Sequence, residues 1–473
     1  MNSAQTTSTW RGIFRDLPRE HGFEPLRVEG RVPDSLRGTL YRCGPAKFSI
    51  GGEPYLHWFD ADGAVTAVRF ADGAGVVRVS GAPPAPQGAP EARTTPPQVE
   101  GAVRVVDTRW LRAERSANRQ LYRSYAQLGR GWRRWLTLPK NPANISVMPW
   151  DGQLLALWEA GLPIAVDPET LETRGETDLG GSIGPTFSAH PHRAAGTLFN
   201  FGVRYGAKFS IDLYAFKKKP QRLGSIPLPR PTIIHDFIAT PRHLIFFCPP
   251  IRLRLARLLA GIAPFDDNLA WEPEHGTEVI VVPLANPESP IRFTVDPFFQ
   301  WHFVRAREER DGILTVDSIP YDDFTTNDWF GRAPYDPPTL PPASRYERAT
   351  IDLRARTMHS ETLSSAFCEF PATGPRNDSV WFLCFDQGLP PALCRFDPST
   401  RTHRNVPLGP DAVPSEPAVT DDGYVLSLVY DGGRDASYVA VIDGERPEDG
   451  TVARLWFDHA IPFPFHGAWE VQS

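Results

Sequence analysis

The sequence predicts an all-β, propeller-like architecture, and three observations carry that expectation. Proline supplies 49 of the 473 residues, about twice the usual share. It breaks helices and central strands but suits turns and strand edges, so many short strands joined by loops are favoured over a helical fold. A strand–turn–strand unit ending in an acidic turn recurs at 152–173 ("GQLLALWEAGLPIAVDPETLET"), at 378–403 ("DSVWFLCFDQGLPPALCRFDPSTRTH") and, more loosely, at 423–450 ("GYVLSLVYDGGRDASYVAVIDGERPEDG"). Radial repetition of small antiparallel sheets is the architecture that such units build. The hydrophobic share of 41% is ample for a core and does not fit a disordered chain.

Along the chain, "GTLYRCGPAKF" (38–48), "GTLFNFGVRYGAKFSIDLYAF" (196–216) and "DGILTVDSI" (311–319) read as further hairpins, with Gly and Asp supplying the turns. Two segments break this grammar. Residues 110–136 are helix-permissive and rich in arginine and aromatics. Residues 251–263, "IRLRLARLLAGIA", put Ile251, Leu255, Leu258, Leu259 and Ile262 at helical spacing, with Arg252, Arg254 and Arg257 mainly on the other faces. A basic amphipathic helix in an all-β chain reads as a membrane-surface element, with Leu255, Leu258 and Leu259 as its apolar patch. The same stripe equally fits a helix that covers one end of the sheets. Residues 1–473 therefore read as a single propeller domain carrying two inserted elements.

The net charge of −6 gives no argument for a nucleic-acid partner, and no obligate protein partner is evident. Five cysteines without a CxxC pair suit a reducing compartment better than a disulfide framework. The first residues lack the apolar core of a secretory leader, and no apolar run of about 18 residues is present. The expected location is cytoplasmic, peripheral on the inner face of a membrane if the 251–263 stripe meets lipid.

Of twelve histidines, seven (His21, His57, His243, His275, His359, His403 and His459) lie beside charged or turn residues and read as surface or locally hydrogen-bonded groups. Four sit in apolar surroundings: His190 in "FSAHPH", His235 in "TIIHDF", His302 in "FFQWHFV" and His466 in "FPFHGAW". One such histidine is usually a satisfied core residue. Four spread widely through a repetitive β-fold point to a metal, because equivalent positions of distant blades converge on a propeller axis. Imidazole suits zinc, copper, iron and nickel, and the set lacks the thiolates of a closed structural zinc site. Glu159, Glu369 and Glu416 lie in equally apolar settings. A buried carboxylate needs a partner, and a ligating imidazole needs its second nitrogen held.

Read in order, "LYRCGPAKF", "HWFDADG", "NPANISVM", "SAHPH", "IIHDF", "WHFVRAREE", "EFPATGPR", "SEPAV" and the terminal "FHG" resemble the carotenoid cleavage oxygenases over most of the chain. The resemblance implies a seven-bladed propeller with a helical and loop cap over one face and a ferrous iron, Fe(2+), on its axis. The matching ligands are His190, His235, His302 and His466, and the matching orienting carboxylates are Glu159 towards His235, Glu369 towards His302 and Glu416 towards His466. The "AHP" pattern selects His190 over His192, which is expected at a turn.

The activity implied is cleavage of a conjugated double bond of a carotenoid or apocarotenoid by O2, with the apolar polyene reaching iron through a tunnel. Ile145, Trp158, Phe237, Phe303 and Phe465 are the candidates to line that tunnel or stand near iron, and no catalytic residue is named beyond the metal centre. Several positions depart from the family pattern. Ile145 stands where many cleaving members carry Thr, Ala61 replaces a usual Gly, and Arg305-Ala306-Arg307-Glu308 replaces Asn-Ala-Tyr/Phe-Glu, with both arginines expected on the surface. Stilbene-cleaving relatives place Lys just before the first glutamate; Trp158 stands there and favours the apocarotenoid branch. Alternatives are a polyene isomerase of the same family, a stilbene-cleaving oxygenase, and a propeller that only binds carotenoid or lipid.

Overall fold

A computed structural model describes residues 9–71, 98–130, 139–206, 208–336, 339–374, 379–386 and 388–471. Among them, seven antiparallel sheets of four to six strands form the blades of a propeller. Blade 1 runs from an outer strand His21–Pro25 through Gln98–Val105, Asp62–Ala71 and Gly38–Lys47 to an inner strand His466–Val471. The inner strands of blades 2 to 6 are Ser146–Trp150, His192–Ala194, Ile238–Ala239, Phe299–Glu308 and Cys368–Thr373. Blade 7 begins with Ala412–Pro414 and Ala418–Val419, and its outer strand is the early segment Arg27–Gly30. Late chain thus completes blade 1 and early chain completes blade 7, a double overlap that closes the ring.

Middle strands such as Gln153–Leu157 and Val380–Cys384 are buried over nearly their whole length. Each blade is packed between two neighbours, so a strand there reads as an apolar run rather than an alternation. The recurrent acidic turns are built alike: Asp167 Oδ1 accepts from the N–H groups of Glu169 and Thr170, and Asp397 Oδ1 from those of Ser399 and Thr400. The hairpins expected at 196–216 and 423–450 form as Thr197–Arg204 with Phe209–Phe216 and as Tyr424–Asp431 with Ala436–Asp443. Residues 38–48, read as a hairpin, are instead one ten-residue strand, Gly38–Lys47. Gly44 lies in its middle, where an added Cβ would come within 2.4 Å of Pro464 Cα. That glycine allows close backbone approach and does not turn the chain.

Three helices cap one face. Helix α1 (Arg109–Ala117) starts at Thr108, whose Oγ1 accepts from Leu111 N, and stops at Asn118 in the left-handed conformation. The helical reading of 110–136 therefore holds only for the first turns, and residues 131–136 lie outside the described set. The continuous helix read over 251–263 does not form. Ile251–Leu253 is a strand paired with Leu269–Trp271, and only Leu255–Leu259 (α2) is helical. Strand pairing buries Ile251 and Leu253, and Gly261 at φ 62° ends the helical path. Helix α3 (Thr325–Arg332) completes the cap. Hydrogen bonds tie these pieces together: Arg123 to Leu258 O, Asp266 N to Tyr125 O, Tyr125 OH to Asn327, and His57 Nε2 to Asn327 O. His57 and His21 are buried and locally hydrogen-bonded, His57 Nδ1 with Phe59 N and His21 Nδ1 with Gly22 O, which is the second of the two readings for these histidines.

Candidate metal centre

Each of the seven blades delivers one residue to the axis. His190 precedes the inner strand of blade 3, His235 precedes that of blade 4, His302 lies within that of blade 5, and His466 opens that of blade 1. Glu159 follows the second strand of blade 2, Glu369 lies in the inner strand of blade 6, and Glu416 links the two inner segments of blade 7. One ring nitrogen of each histidine lies within 4.8 Å of those of the other three. The four residues singled out by their apolar surroundings are therefore brought together.

Local backbone irregularities aim these side chains. The strand register slips on both sides of Phe303, beside His302, and again between Glu369 and Ala372. Such bulges re-aim a side chain next to a site. Phe370 takes φ 56° at the second one, and its N–H donates to Glu369 Oε2 at 2.9 Å, so the strained backbone fixes the carboxylate. His466 is set by its own backbone: its N–H donates to Ile145 O at 3.1 Å, and it pairs across the sheet with Cys43.

The outer nitrogens of three of the four histidines face carboxylates. His302 Nδ1 lies 2.6 Å from Glu369 Oε2 and His466 Nδ1 lies 2.8 Å from Glu416 Oε1. Glu159 Oε1 lies against His235 Nδ1 and 3.9 Å from His190 Nε2. An ionised carboxylate only accepts, so the Nδ1 atoms of His302 and His466 carry the protons and both Nε2 atoms present lone pairs. Those two Nε2 atoms are 3.2 Å apart. Two acceptors cannot hydrogen-bond each other, and His190 Nε2 is buried without a partner. A shared cation satisfies all of them, so the residues present fit a resident metal ion.

Electrostatics hold the carboxylates charged and divide the imidazoles: burial opposes a charge on His302, but Glu369 outweighs it and raises that group. Burial, with the other imidazoles, pushes His190 well below the ordinary histidine value, and burial also lowers His466 despite Glu416. Burial opposes the charge on Glu369 and Glu416, but His302 and His466 outweigh it and hold both acids below their usual range. Three supporting groups were not anticipated. Arg42 Nη1 donates to Glu416 Oε2 at 2.8 Å and Nη2 to Phe465 O at 3.0 Å. Tyr321 OH donates to Glu369 Oε1 at 2.7 Å. Asp236 accepts from Phe303 N at 2.8 Å and pairs with His192 at 2.8 Å. Arg42 and Asp236 stood inside quoted motifs ("LYRCGPAKF", "IIHDF"), and a charge amid apolar neighbours was the available signal. His192, expected at a turn, starts a strand and is half-buried.

A narrow aromatic cavity of about 20 Å3, lined by Trp58, Tyr321, Trp329, Phe330, Phe370 and Phe463, lies next to Glu369; it meets the histidines through Phe370, whose ring centroid is 5.6 Å from that of His302 and 5.5 Å from that of His466. None of the five residues nominated for the tunnel or the surroundings of iron lines this cavity; Ile145 stands beside the centre, its carbonyl accepting from His466 N. Phe465 packs behind this wall on Trp58 at 5.0 Å. Phe237 stacks with Phe246 at 5.4 Å between blades 3 and 4, and Phe303 packs on Phe247 and faces the axial channel instead. Ile145 is buried and Trp158 half-buried against the main core. Arg305 is also corrected: it is buried with Nε 2.7 Å from Asp317, whereas Arg307 is exposed. Of the proposed apolar patch, Leu255 and Leu258 are half-buried and only Leu259 is well exposed, at 65%.

Comparison with known proteins places this arrangement. The family model described as "Retinal pigment epithelial membrane protein" matches residues 14–470. The apocarotenoid-15,15'-oxygenase of Synechocystis sp. is 29% identical, covering 97% of this chain and 96% of the relative. The isoeugenol monooxygenase of Pseudomonas putida is 26% identical over 95% of each chain. The crystal structure of the cobalt-substituted Synechocystis enzyme superposes with a TM-score of 0.84 at 26% identity, covering 99% of both chains. With its seven blades, its axial histidines and a match spanning nearly its whole length, the chain belongs to the carotenoid cleavage oxygenase family.

Proposed function

We propose that the protein is a ferrous-iron dioxygenase that cleaves a conjugated carbon–carbon double bond of an apocarotenoid or carotenoid. The observation that carries the reading is the set of four converging axial imidazoles, two of which, His302 and His466, bring their Nε2 lone pairs within 3.2 Å of each other. The cobalt in the Synechocystis neighbour supports a divalent ion as occupant, and the names of the relatives support an oxygenase acting on a conjugated alkene. The balanced reaction is R–CH=CH–R′ + O2 → R–CHO + R′–CHO.

His190, His235, His302 and His466 would hold the ion, and when bound it supplies a redox-active centre for dioxygen. Four neutral ligands leave its positive charge undiminished. Glu369 and Glu416 keep the Nδ1 protons in place, so the Nε2 lone pairs stay directed at the axis. Arg42 and Tyr321 hold those two carboxylates in turn. Trp58, Phe330, Phe370 and Phe463 provide an apolar wall that favours a polyene and excludes water. Trp158, in place of a lysine that would bind a phenol, supports an apocarotenoid over a hydroxystilbene.

The substrate partitions into lipid, and the cap exposes Leu56, Leu259, Ile262, Tyr335 and Leu340; a membrane surface is the proposed source of substrate. Changing Leu259 and Ile262 to Ser should reduce co-sedimentation with liposomes, and unchanged partitioning would remove the membrane proposal. The activity itself is tested by supplying the iron-loaded protein with an apocarotenal, an intact carotenoid, a hydroxystilbene and isoeugenol under oxygen. Chromatography and mass spectrometry should find paired carbonyl fragments from the apocarotenal. Fragments from only the phenolic alkenes would move the chain to the stilbene branch, and geometric isomers of unchanged mass would make it an isomerase.

A further inference from the structure

A second cavity, of about 340 Å3, lies on the propeller axis on the other side of the histidines. Its walls pass from buried His190, His302 and His466 to exposed Arg193 and Glu470, so it joins the centre to solvent. In the inner strand of blade 1, His466, Ala468 and Glu470 share a face, which places Glu470 about 13 Å along the axis from His466. Between mouth and centre lie Asp236, with its partner His192, and Glu416. The walls thus carry three carboxylates against one guanidinium. Glu416 and Asp236 are held on both oxygens, by His466 and Arg42 and by His192 and Phe303 N, so the exposed Glu470 is the carboxylate that meets solvent first. The aromatic cavity carries one carboxylate, Glu369, in a mainly apolar lining.

We propose that this channel is the loading route of the metal, with Glu470 the first carboxylate to attract a hydrated divalent cation. The inference rests on the metal-centre reading and concerns how the ion arrives. Moving an unpaired charge through an aromatic passage costs many kcal/mol, whereas a water-filled passage lined by carboxylates lets the ion keep its hydration. Clefts lined by one sign of charge raise the local concentration of counter-ions and speed their capture. Arg193 opposes that field, so the two mouth residues should act in opposite directions.

The test strips the full-length protein of metal and follows cobalt(II) uptake by its visible absorption, with equilibrium affinity measured separately. Glu470→Lys should slow uptake about 10-fold at low ionic strength, and the difference should shrink at high salt, where exposed charges are screened. Arg193→Ala should speed it. Ala468→Phe, which narrows the passage, should slow it at every salt concentration. Affinity should stay within about 2-fold in all three variants, because no ligand is touched. Unchanged rates in the Glu470 and Arg193 variants, with cobalt still bound, would overturn the route while leaving the centre intact. A protein that binds no cobalt, or binds it equally well after His302→Ala, would overturn the metal centre and the route with it.

Discussion

At the scale of single residues, the centre depends on groups that never touch a ligand's Nε2. Glu369→Gln removes the full acceptor charge from His302 Nδ1 and lets the amide present a donor there. Loss of such a partner commonly lowers metal affinity or activity by about 10–100-fold, and an equilibrium titration with ferrous iron should show a loss in that range. Tyr321→Phe leaves the His302 contact intact and removes one hydrogen bond to a charged group, worth roughly 1.5–3 kcal/mol. It should weaken binding less than Glu369→Gln; an equal or larger effect would mean that Tyr321 does more than hold the carboxylate. Arg42 is 2% exposed, and its replacement by Met leaves the Glu416 carboxylate with His466 as its remaining side-chain partner, with an expected stability cost of about 1.5–3 kcal/mol for the lost hydrogen bond to a charged group. Thermal denaturation of the metal-free variant measures that cost without reference to activity.

At the scale of elements, the regular parts of the blades were legible and the departures were not. The unit at 152–173 forms as read because Asp167 builds its turn from local sequence. Residues 251–263 failed because their helical stripe competes with a strand partner at 269–271, a contact that periodicity cannot reveal. The ligand histidines were legible because each lies in an apolar stretch, which a solvated histidine would not need. Arg42 escaped because its partners lie 374 residues away at Glu416 and 423 away at Phe465. The cap carries its own prediction. Burial pushes the Asp266 carboxyl up to about 7, so the folded protein keeps a proton that the unfolded chain releases near pH 4. The stability this contributes is full below about pH 4 and is lost as pH rises through about 7. Asp266→Asn stays neutral throughout. Its melting temperature should therefore match the parent near pH 4 and exceed it at pH 8, by the equivalent of about 1–2 kcal/mol.

At the scale of the whole molecule, ring closure and the candidate metal centre are one construction. The strand that begins at His466 supplies a ligand, pairs with Gly38–Cys43 and donates to Ile145 O in blade 2. Deleting residues 466–473 should cost both the ion and a large part of the fold, visible as a lowered melting temperature even without metal. Chelation of the intact protein should lower the melting temperature in a concentration-dependent way, since a ligand at 1,000 times its Kd adds about 4 kcal/mol. Oxidative cleavage is the proposed activity of this centre, and labelled dioxygen tests it most directly. Iron-loaded protein given an apocarotenal under 18O2, with carbonyl exchange held down by rapid trapping, should yield two fragments that each carry one 18O atom, and the protein with His302→Ala should yield none. Recovery of the polyene intact, or as an isomer without label, would contradict the account.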